Sequence, residues 1–296
     1  MATLMTGVQR QVIGIHSTTA IAFTPEQPIA VDRRDYPDEG RIDLPHELKC
    51  SHLVHFTDND FAEIIGLSNT NHFVFRPQQL PAMTSHSFRL SWWSPLAPDN
   101  WRTVIENNLP NVDMAEFDIG NSPAFKGDSM CGPIGIVVKW RDIRTEYARS
   151  RGGIVTDVEF RILGTFLYTK EIMFGVLVCM KGDVAVRDVF PLIDAAETEA
   201  FAFCSPHEFI WKVYSTVSYS DARPSNVFWT WDHLAFGFYC PTTDLIIRDQ
   251  FCGFTTKKAT NHRPMSRSVT NRRLPSEMYA DDGILARLRA KTNALV

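Results

Sequence analysis

The stretch from Ile154 to Met180, IVTDVEFRILGTFLYTKEIMFGVLVCM, constrains the fold more than any other part of the chain. Val158, Phe160 and Ile162 alternate with Glu159 and Arg161, and a period of two places alternate side chains on opposite faces of a strand. Ile172 to Met180 is then almost continuously apolar. Two long strands joined through Gly164 to Glu171 are expected here, and a pair of that length needs a larger sheet to bury it.

The rest of the chain supports sheet. Its 296 residues are 44% hydrophobic, enough for a full core, and include 20 Phe and seven Trp, which suit a pleated, half-buried surface. Strands are expected at Leu48–Phe56, His72–Phe75, Ser87–Trp93, Ile136–Ile143, Glu208–Tyr219, Val227–Cys240 and Asp244–Phe254. Short helical pieces fall at Asp58–Leu67, where Asp58 or Asp60 supplies a cap, from Asp99 or Asn100 to Asn108, and at Asp194–Ala202. Gly127–Gly135 reads as a glycine-bearing turn and Arg144–Gly153 as a charged connection. No βαβ alternation and no fixed-period repeat is present. The expectation is an all-β fold, an antiparallel β-sandwich or jelly roll with two or three short helices, over residues 42–256.

Both ends differ from that body. Residues 1–41 contain Pro25, Pro28 and Pro37 and a hydrophilic run from Asp32 to Arg41, so an extended arm is expected, in which 12–15 and 20–23 are able to add strands to a neighbour's sheet edge. Residues 257–296 carry nine Lys and Arg against three Asp and Glu, a net of +6. That leaves 21 against 31, or −10, for residues 1–256. An acidic body with a basic tail points to a partner for the tail. Lys257, Lys258, Arg263, Arg267, Arg272 and Arg273 have no acid between them, and they are candidates for contact with nucleic acid or with another subunit. After them Asp281 or Asp282 caps a helix whose apolar face is Ile284, Leu285, Leu288 and Leu295.

Cys50, Cys131, Cys179, Cys204, Cys240 and Cys252 form no CxxC pair and sit mostly in apolar runs, as buried thiols in a reducing compartment do. No apolar run reaches the roughly 18 residues that span a bilayer, and no basic-then-apolar leader opens the sequence, so an unsecreted protein without membrane contact is expected. His46, His52, His55 and His72 lack the spacing of a zinc site, so no metal or other cofactor is expected. Asp142, Glu159 and Arg161 resemble the acids and cation of metal-dependent nucleases, although acid-x-base also arises on the wet face of ordinary strands.

Lys126–Gly135, KGDSMCGPIG, resembles the nucleophile loop of chymotrypsin-like proteases. That resemblance implies Cys131 or Ser129 as nucleophile, His55 as base and Asp99 as its orienting acid. Two residues separate Ser129 from Gly132 where the serine-protease motif has one Gly, and about 165 residues follow Cys131. A plain Gly/Pro turn is the simpler account.

The arm, the β body and the basic tail together resemble the jelly-roll coat proteins of picornavirus-like small RNA viruses. VEFRILGTFLYTKEIMFGVLV, Val158–Val178, is similar to the strand, Gly-bearing connection and strand of those domains. The resemblance implies a capsid subunit, not an enzyme, that associates with copies of itself and related coat subunits, meets RNA through its tail, and resides in the host cytoplasm before assembly and in the virion after it. A viral movement or RNA-binding accessory protein is the alternative, and a cysteine protease using Cys131 is the second.

Overall fold

Two antiparallel strands, β9 (Val158–Tyr168) and β10 (Glu171–Met180), occupy the stretch where they are expected in the computed structural model, with Val158 opposite Met180 and Tyr168 opposite Glu171. Gly164 lies within β9, opposite Gly175, so the connection is shorter than the sequence suggests. The register shifts between Gly175 and Val176, a bulge that locally re-aims the ribbon. Leu177 and Cys179 are as fully buried as Val176 and Val178, so this part of β10 is covered on both faces, which is why Val176–Met180 is continuously apolar. The structure describes residues 13–14, 46–79, 89–101, 103, 128–129, 131–168, 171–188, 190, 192, 202–204, 209–213, 233–260 and 277–293.

Around this pair the described residues build a nine-stranded sheet. Its other members are β1 (Ile13–Gly14), β3 (His52–Thr57), β5 (Gln78–Gln79), β6 (Arg89–Pro95), β8 (Ile134–Lys139), β13 (His233–Tyr239) and β15 (Cys252–Thr256), in the order β1-β9-β10-β13-β6-β3-β8-β15, with β5 also on β6. The remaining strands are β2 (His46–Cys50), β4 (His72–Phe75), β7 (Asp128–Ser129), β11 (Ala202–Cys204), β12 (Phe209–Val213), β14 (Leu245–Arg248), β16 (Lys258–Thr260) and β17 (Glu277–Met278). They form three smaller sheets, β11-β12-β2, β14-β4 and β17-β16-β7.

Several expectations change. The main sheet is mixed: β10 runs parallel to β13, and β1 parallel to β9. Side-chain period reports which face a residue occupies and carries no information on strand direction. Leu48–Phe56 divides at Ser51 into β2 and β3, which belong to different sheets. Asp244–Phe254 divides in the same way, β14 pairing with β4 and β15 with β8, with a 3-10 turn at Asp249–Phe251 between them.

The largest correction is at Ile136–Ile143 and Arg144–Gly153. The strand stops at Lys139 and a helix, α2 (Trp140–Ser150), replaces both its end and the expected charged connection. Trp140, Ile143 and Tyr147 recur at helical spacing and all are buried, so only a 3.6-residue period puts this apolar stripe on one face. Their rings meet the sheet, Trp140 on Phe236 at 5.1 Å and Tyr147 on Phe238 at 5.3 Å between centroids. The β4–β14 ribbon lies on that face too, Phe75 against Trp93 at 4.8 Å and Phe73 against Phe254 at 5.8 Å.

Helix α1 (Asn59–Leu67) is capped by Asp58, whose carboxylate accepts from the Phe61 N–H at 2.7 Å. A single helical turn, α3 (Val184–Arg187), follows β10. Helix α4 (Asp282–Asn293) docks on the body: Ile284, Leu285 and Leu288 are buried, Ile284 and Leu288 within the common core, and Asp281 caps it through the Ile284 N–H at 2.9 Å. Residues 257–296 are therefore not all tail. Lys258–Thr260 extends a sheet, and α4 belongs to the core. Ala202, expected to end a helix, instead opens β11. The rest of that helix, residues 194–201, lies outside the described residues, as do most of the helix expected from Asp99 to Asn108, residues 20–23, Leu295, Arg263, Arg267, Arg272 and Arg273.

Candidate functional site

Where α1 passes over the junction of β3, β4 and β6, the packing leaves a cavity of about 210 Å³. Phe61, Ile64 and Ile65 of α1 form its roof, and Val74, Phe75, Leu90 and Trp92 supply apolar wall from the strands. His55, Thr57, Asp58, Ser91, Arg76 and Cys131 are its polar members. Cys131 reaches it because Gly132 holds the turn against β3. Gly132 has φ +131°, and a Cβ there would collide with the Thr57 carbonyl group, so only glycine permits the approach.

The cavity joins two of the three expected catalytic residues and leaves out the third. His55 and Cys131 share it, whereas Asp99 lies exposed in the turn before Trp101 and is not part of its lining. The orienting role falls to main chain instead: His55 Nδ1 is 2.8 Å from the Trp92 carbonyl oxygen. A carbonyl only accepts, so Nδ1 carries the proton and Nε2 is the unprotonated nitrogen. Burial lowers the pKa of His55, against a smaller opposing effect of that hydrogen bond, so the ring stays neutral. Phe75 and Trp93 hold it at 5.2 and 5.4 Å between ring centroids.

Burial pushes the Cys131 thiol up to about 11, so it is protonated at neutral pH, unlike the activated thiolates of cysteine hydrolases. Ser129 is buried and its hydroxyl accepts from the Cys131 N–H at 3.2 Å, which makes it a brace of the turn. Two of the other polar members are committed: Asp58 caps α1, and the Ser91 hydroxyl accepts from Trp93 Nε1 at 3.1 Å.

The remaining candidates resolve into structural contacts. Glu159 pairs with Arg161 at 2.7 Å, and Arg161 donates to the carbonyls of Arg187 at 3.0 Å and Phe190 at 2.7 Å, tying the segment after α3 to the sheet. Asp142 lies on α2 beside Arg141, so the acids of the nuclease-like pattern sit in separate ion pairs. His52 shares a hydrogen bond with Ser51 at 2.9 Å, His72 is half-buried in β4, and His46 falls in β2. Among the described residues no cluster of three His, Cys, Asp or Glu is arranged to hold a metal. The free cysteines Cys50, Cys179, Cys240 and Cys252 are buried. Lys257 lies 5.2 Å above the Phe56 ring and Lys258 5.9 Å above Tyr279, so the start of the basic segment leans on the body.

What the sequence does not disclose is the buried ionic architecture. Glu146 is fully buried, receives Arg248 at 2.7 Å and Arg149 at 2.9 Å, and also accepts from the Arg248 N–H at 3.0 Å. Burial opposes its ionisation, but the hydrogen bonds outweigh that and hold the carboxyl below its usual range. Arg151 pairs with Asp183 at 2.6 Å and donates to the Tyr239 carbonyl at 2.6 Å, which the Tyr147 hydroxyl also reaches at 2.7 Å. These networks fasten α2 to the strands around it.

No family model, curated protein or solved structure matches the chain.

Proposed function

We propose that the protein is a structural, self-associating subunit of the coat-protein type, with the arm as its connector. The observation that supports this reading is the pairing of Ile13–Gly14 alongside Phe166–Leu167 at the outer edge of the main sheet. Strand addition satisfies an otherwise open row of backbone donors and acceptors. An arm that reaches this edge in its own chain has the chemistry to reach the same edge in a second copy. The finer architecture that goes with the proposal is a jelly-roll sandwich, in which the β11-β12-β2 sheet, branching from the main sheet at Ser51, begins the second layer. The basic residues between Lys257 and Arg273 would then meet RNA or the acidic body of a neighbour, within a virion.

Size-exclusion chromatography with light scattering at low and high salt tests this. Large regular particles support the coat reading. A monomer that binds single-stranded RNA in a salt-dependent way favours the accessory-protein alternative, and a monomer indifferent to RNA removes both.

A second reading is favoured by one observation, the convergence of His55 and Cys131 on one cavity. In it the chain is a cysteine hydrolase, with His55 oriented by the Trp92 carbonyl in place of an acid. Hydrolysis of small thioesters that disappears in Cys131→Ala while the oligomeric state is kept would establish it. Equal background rates for both proteins would dismiss it.

A further inference from the structure

The cavity under α1 has the dimensions and chemistry of a small-molecule site, whatever the oligomeric state of the protein. At about 210 Å³ it exceeds the roughly 150 Å³ of an apolar protein cavity that takes up benzene. Its walls are mostly apolar, with Phe61, Ile65, Val74, Phe75 and Leu90 among the lining residues. An apolar wall with a few placed polar atoms is the usual make-up of such sites.

The polar atoms narrow the class of ligand. Asp58 and Ser91 are engaged in the contacts described above, and the only N–H of the His55 ring is committed to the Trp92 carbonyl. What His55 retains is Nε2, a neutral acceptor with no partner among the described residues, in a ring held by Phe75 and Trp93. An acceptor of that kind selects a molecule with an O–H donor, and the one cation of the lining, Arg76, is exposed to solvent. Thr57, two residues along β3 from His55, also lines the cavity.

We infer that this cavity binds a small neutral aromatic or branched apolar molecule bearing one hydroxyl group, of the phenol class, with the hydroxyl donating to His55 Nε2. No bond is made or broken in binding, and Cys131 contributes only wall.

The test uses the full chain and a matched pair of probes, p-cresol and toluene, titrated calorimetrically. The expected result is a single site that takes p-cresol about fivefold more tightly than toluene, the ratio one neutral hydrogen bond supplies. His55→Phe should bring the two affinities together. Ile64→Trp places bulk in the cavity from a residue that is 48% exposed, so it leaves the core intact and keeps the test available if His55→Phe does not fold. It should abolish binding of both probes. The inference is overturned if neither probe binds the wild-type chain, if the two bind equally well, or if Ile64→Trp leaves binding unchanged.

Discussion

Replacing Leu288 by Ala tests whether the C-terminal helix is part of the fold or an appendage. Leu288 is fully buried, and it faces Gly66 of α1 so closely that a Cβ on Gly66 would strike it and come within 2.8 Å of Phe73. The two helices thus meet backbone to side chain, with no slack to close over a truncated residue. Large-to-small substitutions at such sites cost about 2–5 kcal/mol, more where the surroundings cannot collapse, and a rigid contact of this kind puts the expectation at about 3 kcal/mol. Lys291 adds to the rigidity. Its ammonium donates to the carbonyls of Gly66, Asn69 and His72 at 2.5, 2.6 and 2.8 Å and lies 4.7 Å from the Phe73 ring centroid, so α4 cannot readily slide to refill the void. With a urea dependence of about 3 kcal/mol per molar, the loss corresponds to a midpoint lower by roughly 1 M. Tryptophan fluorescence during urea unfolding measures it, with exposed Arg289→Ala as a control expected within about 0.5 kcal/mol of wild type. A Leu288→Ala midpoint indistinguishable from that of the control would show that α4 is not docked as described. By the same reasoning, removal of residues 257–296 should destabilise the body, since the buried Ile284, Leu285 and Leu288 go with them.

Other consequences concern the sheet and its charges. Gly132→Ala combines a φ of +131° with a collision at the Thr57 carbonyl, so thermal unfolding should show a loss of about 2–4 kcal/mol and Cys131 should become accessible to a thiol reagent. Glu146→Gln removes the charge that Arg248 and Arg149 share, but those side chains are 41% and 42% exposed and stay solvated, so denaturant unfolding should show a loss of only about 1 kcal/mol, from the weakened hydrogen bonds. Burial lowers the pKa of both His55 and His52 from 6.5, so the unfolded chain takes up protons first as pH falls. Stability should therefore be at its full value above pH 6.5 and decline below it, and the decline should be shallower in His55→Phe.

The parts of the fold legible in the sequence are those where apolar and charged residues alternate or a capping residue stands just before a helix. Val158, Glu159, Phe160 and Arg161 declared β9 by alternation, and Asp58 declared the start of α1 by its capping chemistry. Helix α2 was hidden because charged residues occupy buried positions in it. Arg144 and Glu146 are both buried in WRDIRTEYARS, and the burial of Glu146 depends on a partner distant in sequence, Arg248, that composition does not reveal. The parallel pairing of β10 and β13 was hidden for another reason. It depends on the path of the connection between Lys181 and Asp232, and neither strand's own residues encode its direction. At the site, His55 and Cys131 were legible as residues, and the structure places them in one cavity. The partner of His55 was not legible, because it is a main-chain carbonyl that the topology brings in from β6.

Sedimentation of the full chain beside a version lacking residues 1–41 tests self-association through the arm most directly. The account predicts that the full chain forms large assemblies at micromolar concentration and that the shortened one sediments as a folded monomer. Identical monomeric profiles for the two proteins would contradict it.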